Sequence, residues 1–235
     1  MLFKIQASQI YLGNYGWHAG RFHFSFAEYC DPENISFGDL ITFNDFTIQP
    51  GSGFEEHPHE EIEIVSYCVN GELVHEDNMG NKKFLKRGEM QYTCAGSGII
   101  HSERNASPLD PLRFVQIWIR PNAPGLPPSY RFRHFKQSDR QNRLLHMISG
   151  QSIQDGIRIN QDTNIFVSEI NSGRQIGIQS LPGRQIYLVC LVGAFDINSI
   201  HLETGDAIKI WDEMFLTLTA MKDSQLIMVD MSGMN

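Results

Sequence analysis

The sequence lacks long apolar runs and has no targeting pattern at its start. None of its 235 residues lie in a run of about 18 consecutive apolar residues, the length that a membrane-spanning helix needs. The first twenty residues contain no basic stretch leading into an apolar run, so they do not resemble a signal peptide. We therefore expect a cytoplasmic protein that is not embedded in a membrane.

Clusters of basic residues are also missing. The formal net charge is −8, the sequence pI is about 5.5, and the Lys and Arg residues are scattered along the chain. A surface that binds nucleic acid needs a basic patch to displace counterions from the phosphates. Direct binding of nucleic acid is therefore not expected.

Cysteines are few and are not paired in sequence. The four are Cys30, Cys68, Cys94 and Cys190, and no two of them form a CxxC motif. Cys68 and Cys190 lie inside apolar runs, where a small buried hydrophobic residue is a sufficient explanation. We expect reduced thiols in a cytosolic protein rather than a disulfide framework.

β-strand signals, by contrast, are abundant. Short apolar runs rich in β-branched residues alternate with turn residues about every ten positions, which is typical of an all-β sandwich or barrel. Asn70-Gly71, followed by ELVHE, predicts a hairpin. Before residue 130 the strands are predicted at 62–69, 72–76, 83–86, 89–94, 99–105 and 113–119.

A proline-rich segment divides the chain. Residues 121–130 read PNAPGLPPSY, and proline cannot donate a hydrogen bond within a central strand. A second set of β-rich runs follows this segment. The simplest interpretation is two β-barrel domains, 1–130 and 131–235, with the first ~50 residues either completing the first barrel or shared with the second.

Two pairs of polar residues carry the chemistry of the first half. His57 and His59 are two residues apart, as are His101 and Glu103, and residues i and i+2 of a strand share a face. Two adjacent strands would then direct three imidazoles and a carboxylate to one point, which suits Fe, Mn, Ni, Cu or Zn. On a regular strand Glu63 would share the face of His57 and His59, so it competes with Glu103 as the fourth ligand.

These segments resemble a known family. HPHEEIEIVSY, HEDNMGN and AGSGIIHSERN are similar to the signature segments of pirins, which are bicupins. RFHFSFAEYCDP (21–32), FVQIWIRP (114–121) and AIKIWDE (207–213) resemble further blocks of that family. The resemblance covers nearly the whole chain and is especially close to bacterial pirin-like proteins described as quercetin 2,3-dioxygenases. It implies an all-β bicupin with two jelly-roll-like β-barrel domains, of which only the first holds metal.

The resemblance also implies a ligand set and an activity. It assigns one divalent transition metal, most often Fe(II), to His57, His59, His101 and Glu103; Cu, Mn, Ni, Co and Zn suit the same ligands. The implied reaction is cleavage of a flavonol such as quercetin with O2, in which Glu103 takes the hydroxyl proton. The alternative that the family implies is a metal-dependent, redox-responsive regulator that binds a protein partner.

Two features depart from the family pattern. Cys94 stands where the general cupin pattern has proline, either as a buried small residue or as a thiol close to the metal. The loop around the first histidines is unusually acidic, which would favour cations and disfavour anionic substrates. Its acidic residues are Glu55, Glu56, Glu60, Glu61 and Glu63.

The remaining aromatic and histidine residues are expected to be structural. Phe22, Phe24, Phe26 and Phe43 are predicted to pack the barrel, and one or two of them could line a pocket for a flat aromatic ligand. The isolated histidines are interpreted as surface or hydrogen-bonded residues, with His75 the one nearest to the site in the predicted fold. They are His18, His23, His75, His134, His146 and His201.

Overall fold

Strands form nearly every regular element, as the sequence pattern predicts. The computed structural model describes residues 1–151 and 155–233. It contains a 3-10 helix at Ala7–Gln9 and one α-helix, α1, at Gln137–Arg140. The strands are β1 (Leu2–Ile5), β2 (Tyr11–Asn14), β3 (His18–Phe22), β4 (Leu40–Ile48), β5 (Gly53–His59), β6 (Glu63–Asn70), β7 (Glu72–Asp77), β8 (Lys82–Lys86), β9 (Met90–Cys94), β10 (Ile99–Asn105), β11 (Leu112–Ile119), β12 (Ser129–Arg133), β13 (Leu145–Ser149), β14 (Ile157–Arg158), β15 (Thr163–Ile170), β16 (Gln175–Gln179), β17 (Arg184–Val192), β18 (Ala194–Ile197), β19 (Ile200–Glu203), β20 (Ala207–Trp211), β21 (Phe215–Ala220) and β22 (Ser224–Ser232).

The burial of individual strands follows their residue pattern. β6 reads as a nearly continuous apolar run and is buried at every position except its last. β16 alternates apolar and polar residues, and its side chains are alternately buried and exposed. Within the described residues, no helix is long and apolar enough to cross a membrane. The all-β prediction is confirmed.

The chain divides into two compact units, each built from one seven-stranded and one four-stranded sheet. The N-terminal unit contains Tyr11–Phe135 and Ile159–Gln161, with sheets ordered β12-β9-β6-β11-β4-β3-β2 and β5-β10-β7-β8. The C-terminal unit contains Met1–Ile10, Lys136–Arg158 and Asp162–Asn235, with sheets ordered β1-β20-β17-β22-β15-β13-β14 and β16-β21-β18-β19. Each unit is thus a two-sheet jelly roll rather than a closed barrel.

The limits of these units differ from the predicted limits at both ends. Leu2–Ile5 pairs with β20, so the start of the chain lies in the C-terminal unit, as one of the two options for the first residues allows. Ser129–Arg133 pairs with β9, which keeps the chain in the N-terminal unit beyond residue 130. Hydrogen bonding of a strand to a sheet edge, rather than the proline-rich segment, decides where each piece belongs.

The predicted hairpin at Asn70-Gly71 is wrong. β6 lies in the seven-stranded sheet, whereas β7 lies in the four-stranded sheet and pairs with β8 and β10. Gly71 has φ of +88°, and a Cβ atom there would lie 3.0 Å from the Cα atom of Leu112. The turn therefore takes the chain from one sheet to the other, past a neighbouring strand.

Each unit has its own apolar core. Phe22, Phe24 and Phe43 are fully buried in the N-terminal unit, which confirms their predicted packing role, and Phe26 is partly buried beside them. The core of the C-terminal unit consists almost entirely of aliphatic residues from both of its sheets, together with Phe195. The layer between the sheets is therefore aromatic in part of one unit and aliphatic in the other.

Candidate metal centre

Two antiparallel strands of the four-stranded sheet bring the sequence-predicted residues together. β10 pairs with β5 so that His101 lies opposite His57 and Ile99 lies opposite His59. A bulge follows His101, yet Glu103 keeps the same inward face: His101 and Glu103 are buried, Ser102 between them is half-buried, and Ile100 and Arg104 on either side are exposed. The expected same-face arrangement on neighbouring strands is observed.

Three imidazoles converge at this place. One ligand nitrogen from each of His57, His59 and His101 lies within 4.8 Å of the others. The Nε2 atoms of His57 and His101 are 3.1 Å apart, and the ring of His59 is nearly perpendicular to both other rings. Among residues 1–151 and 155–233, this is the one cluster of His, Cys, Asp or Glu with spacing suited to a metal ion.

Burial keeps two of these imidazoles neutral. Burial, together with the neighbouring His57 and His75, lowers the pKa of His101 to about 3. Burial likewise lowers the pKa of His59 to about 4, with contributions from His101 and His57, while Glu103 raises it. Neutral imidazole is the form that binds a metal, so these side chains need not lose a proton near neutral pH.

Ring nitrogens of the cluster that lack a hydrogen-bond partner could bind a metal ion. Nε2 of His59 is buried and has no hydrogen-bond partner among the described residues, which is costly for a polar atom. Nδ1 of His57 lies 2.7 Å from the backbone oxygen of Glu55; as the donor, it leaves Nε2 as the free lone pair. Two ligands at a right angle, each about 2.1 Å from an ion, would be about 3.0 Å apart, close to the observed Nε2 separation.

Glu103 lies at the same face but is held by the opposite sheet. Its carboxylate is fully buried. Oε1 accepts hydrogen bonds from Ser66 Oγ at 2.7 Å and Gln91 Nε2 at 2.9 Å, and Oε2 accepts one from Gln116 Nε2. Three strands of the seven-stranded sheet therefore fix this carboxylate, which is not among the three groups whose ligand atoms lie within 4.8 Å of one another.

These partners of Glu103 were not anticipated. The signal in the sequence is weak but readable: Ser66 interrupts the apolar run of β6, and Gln116 interrupts that of β11. A polar residue at an inward position of such a strand must find a buried partner. Gln91 lies beside Ser66 on the neighbouring strand.

Glu63 does not lie on the strand face that carries His57 and His59. β5 ends at His59, and Glu61 adopts φ of +49°, so the strand is broken before β6 begins at Glu63. The Glu63 carboxylate accepts hydrogen bonds from Tyr92 Oη, from the backbone N–H groups of Asn160 and Gln161, and from Asn160 Nδ2. The shared face that would make Glu63 a competing ligand is therefore lost, and this carboxylate instead anchors residues 159–161 to the N-terminal unit.

Cys94 packs beside the Glu63 cluster. Its Sγ atom is buried 3.7 Å from Asn160 Nδ2, and burial raises the pKa of the thiol, as does the nearby Glu63 carboxylate. The four cysteines are all free in the structure. The thiol form and the burial fit the interpretation of Cys94 as a small buried residue.

A cavity of about 590 Å³ borders the histidine cluster at His57. Trp17 and Phe54 supply its aromatic wall, with ring centroids 5.1 Å apart in an edge-on arrangement, and Glu55 and Glu56 supply its acidic rim. The aromatic lining thus comes from residues other than the buried Phe22, Phe24 and Phe43. Of the acidic loop, Glu55 pairs with Arg104 and Glu61 accepts a hydrogen bond from the Gly125 N–H.

The isolated histidines lie outside the cluster, as predicted. His134 contacts Glu89, His201 contacts Asp196, and His146 hydrogen-bonds Asn164 at 3.0 Å. His75 is the near neighbour: its buried ring lies 5.2 Å from that of His101, and its Nε2 lies 3.2 Å from Asp77 Oδ2.

Comparison with known proteins identifies the family. The Pirin family model matches residues 5–119, and the model of the quercetinase C-terminal cupin domain matches residues 146–231. A pirin-like protein of Caulobacter vibrioides is 37% identical over 218 residues, which is 92% of this chain and 94% of the relative. The chain belongs to the pirin family. The bicupin fold implied by the resemblance is thereby confirmed.

Two solved structures and a further relative support membership of this family. The crystal structure of YhhW from Escherichia coli superposes with a TM-score of 0.94 at 32% identity, covering 100% of this chain and 99% of that one. A structure of the same bacterial pirin in complex with nickel(II) gives a TM-score of 0.93 and covers both chains completely. Quercetin 2,3-dioxygenase of Escherichia coli (strain K12) is 33% identical over 231 residues, 98% of this chain and 99% of the relative.

Proposed function

We propose that this pirin is a metal-dependent dioxygenase that cleaves a flavonol such as quercetin with O2. It would hold one divalent transition metal, Fe(II) in the first place, on His57, His59, His101 and Glu103. The observation that carries the proposal is the convergence of three imidazoles beside a cavity with an aromatic wall, with the buried Glu103 on the same face of its strand as His101. The names of relatives at 33% identity and the nickel(II) complex of a relative support it.

The chemistry expected of the ion is that of a Lewis acid, which lowers the pKa of a coordinated hydroxyl group. Four protein ligands would leave open positions, in contrast to a closed structural zinc site. Cu, Mn, Ni, Co and Zn remain candidates beside iron, because imidazole and carboxylate suit all of them.

The protein's own groups have distinct tasks in this proposal. Trp17 and Phe54 would offer apolar surface to the flat rings of a flavonol in the cavity beside His57. Glu103 would take the proton of the flavonol hydroxyl, because its carboxylate is buried on the same face of β10 as His101. The walls of the jelly roll would limit the access of water while the heterocycle is cleaved, a reaction that consumes one O2 and releases carbon monoxide.

Elemental analysis combined with an oxygen-consumption assay tests this function. Wild-type protein loaded with iron, copper, manganese, nickel or cobalt should contain one ion per chain and consume O2 when a flavonol is added under air. Glu103→Gln retains the three histidines and one accepting oxygen, so at saturating metal it should still bind an ion. Its turnover should fall about a hundredfold or more, the usual contribution of a general base.

Glu63→Gln is the matched control, because it changes a second buried glutamate that does not face the histidines. It should leave turnover per bound metal near the wild-type value. If every metal-loaded form fails to consume O2 with flavonols, the dioxygenase proposal is wrong. The regulatory role, in which the metal's redox state controls binding of a protein partner, would then replace it.

We also propose a cytoplasmic location, which suits the free thiols.

A further inference from the structure

Glutamine side chains clamp the Glu103 carboxylate from both sides. Gln91 on β9 donates to Oε1, Gln116 on β11 donates to Oε2, and Ser66 on the intervening β6 donates to Oε1. All three donors are at least nine-tenths buried. One carboxylate has about four acceptor positions, so three donors leave about one position for an ion or for a substrate proton. That position lies on Oε2, the oxygen with a single donor.

Each glutamine is itself oriented by an aromatic donor. Tyr130 Oη donates to Gln91 Oε1 at 2.8 Å, and Trp118 Nε1 donates to Gln116 Oε1 at 2.9 Å. A glutamine amide can turn either way unless its oxygen is engaged. Because tyrosine O–H and indole N–H donate to the amide oxygens here, each NH2 group must face Glu103.

Tyr130 is held in turn by a buried histidine. Its ring stacks on that of His75 at a centroid distance of 4.5 Å and an interplanar angle of 18°. His75 Nδ1 lies 3.4 Å from Gln91 Nε2, and its Nε2 lies 3.2 Å from Asp77 Oδ2. A consistent arrangement follows, in which Gln91 donates to His75 and His75 donates to Asp77.

Trp118 completes the other side of the clamp. Its ring packs edge-on against His59, with centroids 5.0 Å apart, while its N–H orients Gln116. A single side chain therefore contacts a histidine of the cluster and fixes the donor to Glu103.

We propose that Gln91 and Gln116 are positioning residues of the metal centre and that Tyr130 and Trp118 act through them. The inference rests on the metal site of the proposed function but not on flavonol turnover. Hydrogen-bond partners that orient a ligand usually account for 10- to 100-fold in metal affinity. Loss of either glutamine contact should therefore weaken binding and change the ligand field.

Metal titration of four proteins tests the Gln91 arm. Apo wild type, Tyr130→Phe, Gln91→Met and the double variant are titrated with Ni(II) and Co(II) against a competing chelator, and the visible d–d spectrum is recorded. Each single variant should bind about 10- to 100-fold more weakly and show a shifted spectrum. Since Tyr130 acts through Gln91, the double variant should bind no more weakly than Gln91→Met alone.

Tyr92→Phe is the matched control for Tyr130→Phe. Tyr92 is a buried tyrosine on the same strand as Gln91, and its O–H donates to the Glu63 carboxylate instead of the clamp. Its loss should lower thermal stability but leave the metal affinity and the d–d spectrum at the wild-type values.

Three results would overturn the inference. The first is a folded Tyr130→Phe or Gln91→Met protein with wild-type affinity and spectrum. The second is full additivity in the double variant, and the third is an equal spectral change in Tyr92→Phe. Wild type that binds metal but does not turn over flavonols would refute the proposed activity and leave this inference intact, whereas wild type that binds no metal would refute both.

Discussion

At matching positions of their seven-stranded sheets, the N-terminal unit has polar side chains and the C-terminal unit has apolar ones. In the N-terminal unit Ser66 lies opposite Gln91 on one neighbouring strand and opposite Gln116 on the other. In the C-terminal unit the corresponding row across β20, β17 and β22 is aliphatic, and all its members are core residues. They are Ile208, Leu188 and Met228.

The four-stranded sheets repeat this contrast. His57 lies opposite His101 in the N-terminal unit, whereas the inward pairs in the C-terminal unit are Ile178 opposite Leu216 and Ile176 opposite Leu218. The backbone arrangement is the same, so it does not by itself create a metal site. A site needs polar residues on both facing sheets at once, because a carboxylate facing aliphatic side chains would be buried without partners.

The largest expected effect is loss of metal from the N-terminal unit. His59→Ala or His101→Ala removes one imidazole of the cluster, and we expect stoichiometric metal to disappear, as measured by elemental analysis of the purified protein. His146→Ala in the C-terminal unit is the control and should retain one ion per chain. A full equivalent of metal in the His59/His101 double variant, or an ion held only by residues after 135, would contradict the assignment of the metal site to the N-terminal unit.

A smaller effect is expected when the anchoring carboxylate is changed. Glu63→Gln replaces an acceptor of several hydrogen bonds, so an amide NH2 would face buried donors. The free energy of unfolding of the N-terminal unit should fall by about 3 kcal/mol, the upper range for hydrogen bonds to a charged group. Denaturant titration measures this loss. The metal content at saturation should stay at one equivalent, and loss of the ion in Glu63→Gln alone would restore Glu63 as a ligand.

The histidine cluster should make the apo N-terminal unit sensitive to acid. The folded-state pKa values of His59 and His101, about 4 and about 3, lie below the ordinary value of 6.5. The unfolded chain therefore binds protons first, and the free energy of unfolding should decrease as the pH falls from 6.5 toward 4. Denaturant titrations at pH 7.5, 5.5 and 4.5 would measure this slope.

The matched variant for this pH titration replaces His59 and His101 with leucine, an aliphatic residue of the kind that forms the inward pairs of the C-terminal unit. His23 has a pKa lowered to about 3 by burial and by Arg21, and it is present in both proteins, so their difference isolates the cluster. Equal slopes in wild type and in the His59→Leu/His101→Leu protein would show that the cluster does not titrate as described.

The smallest effect concerns the acidic loop. Neutralising Glu60 and Glu61, both exposed, should raise the apparent affinity for an anionic flavonol on the order of twofold at low ionic strength. The gain should shrink at high salt, since exposed charges are screened. Substrate saturation curves at two salt concentrations measure it, and an effect that does not depend on salt would point to contacts rather than to charge.

The sequence by itself indicated most of the strands, the all-β class and the three histidines of the cluster, and the resemblance to pirins selected Glu103 rather than Glu63 as the expected fourth ligand. Period-two alternation and turn residues are local features, so they can be read without the fold. The spacing of His57 and His59, and of His101 and Glu103, indicated a shared face for the same reason. The lack of an HxH pair after residue 135, in agreement with the resemblance to pirins, gave the prediction that only one of the two domains carries metal.

Only the tertiary structure decided which distant residues meet. Packing of one sheet on the other brings Ser66, Gln91 and Gln116 into contact with Glu103, and no spacing along the chain encodes that contact. The same is true of the turn at Gly71, which joins two sheets where the local pattern predicts a hairpin, and of Glu63, which a broken strand turns toward Asn160. Local sequence specifies which face a side chain occupies, whereas long-range strand order specifies what that face meets, because register and sheet order depend on the packing of the whole unit.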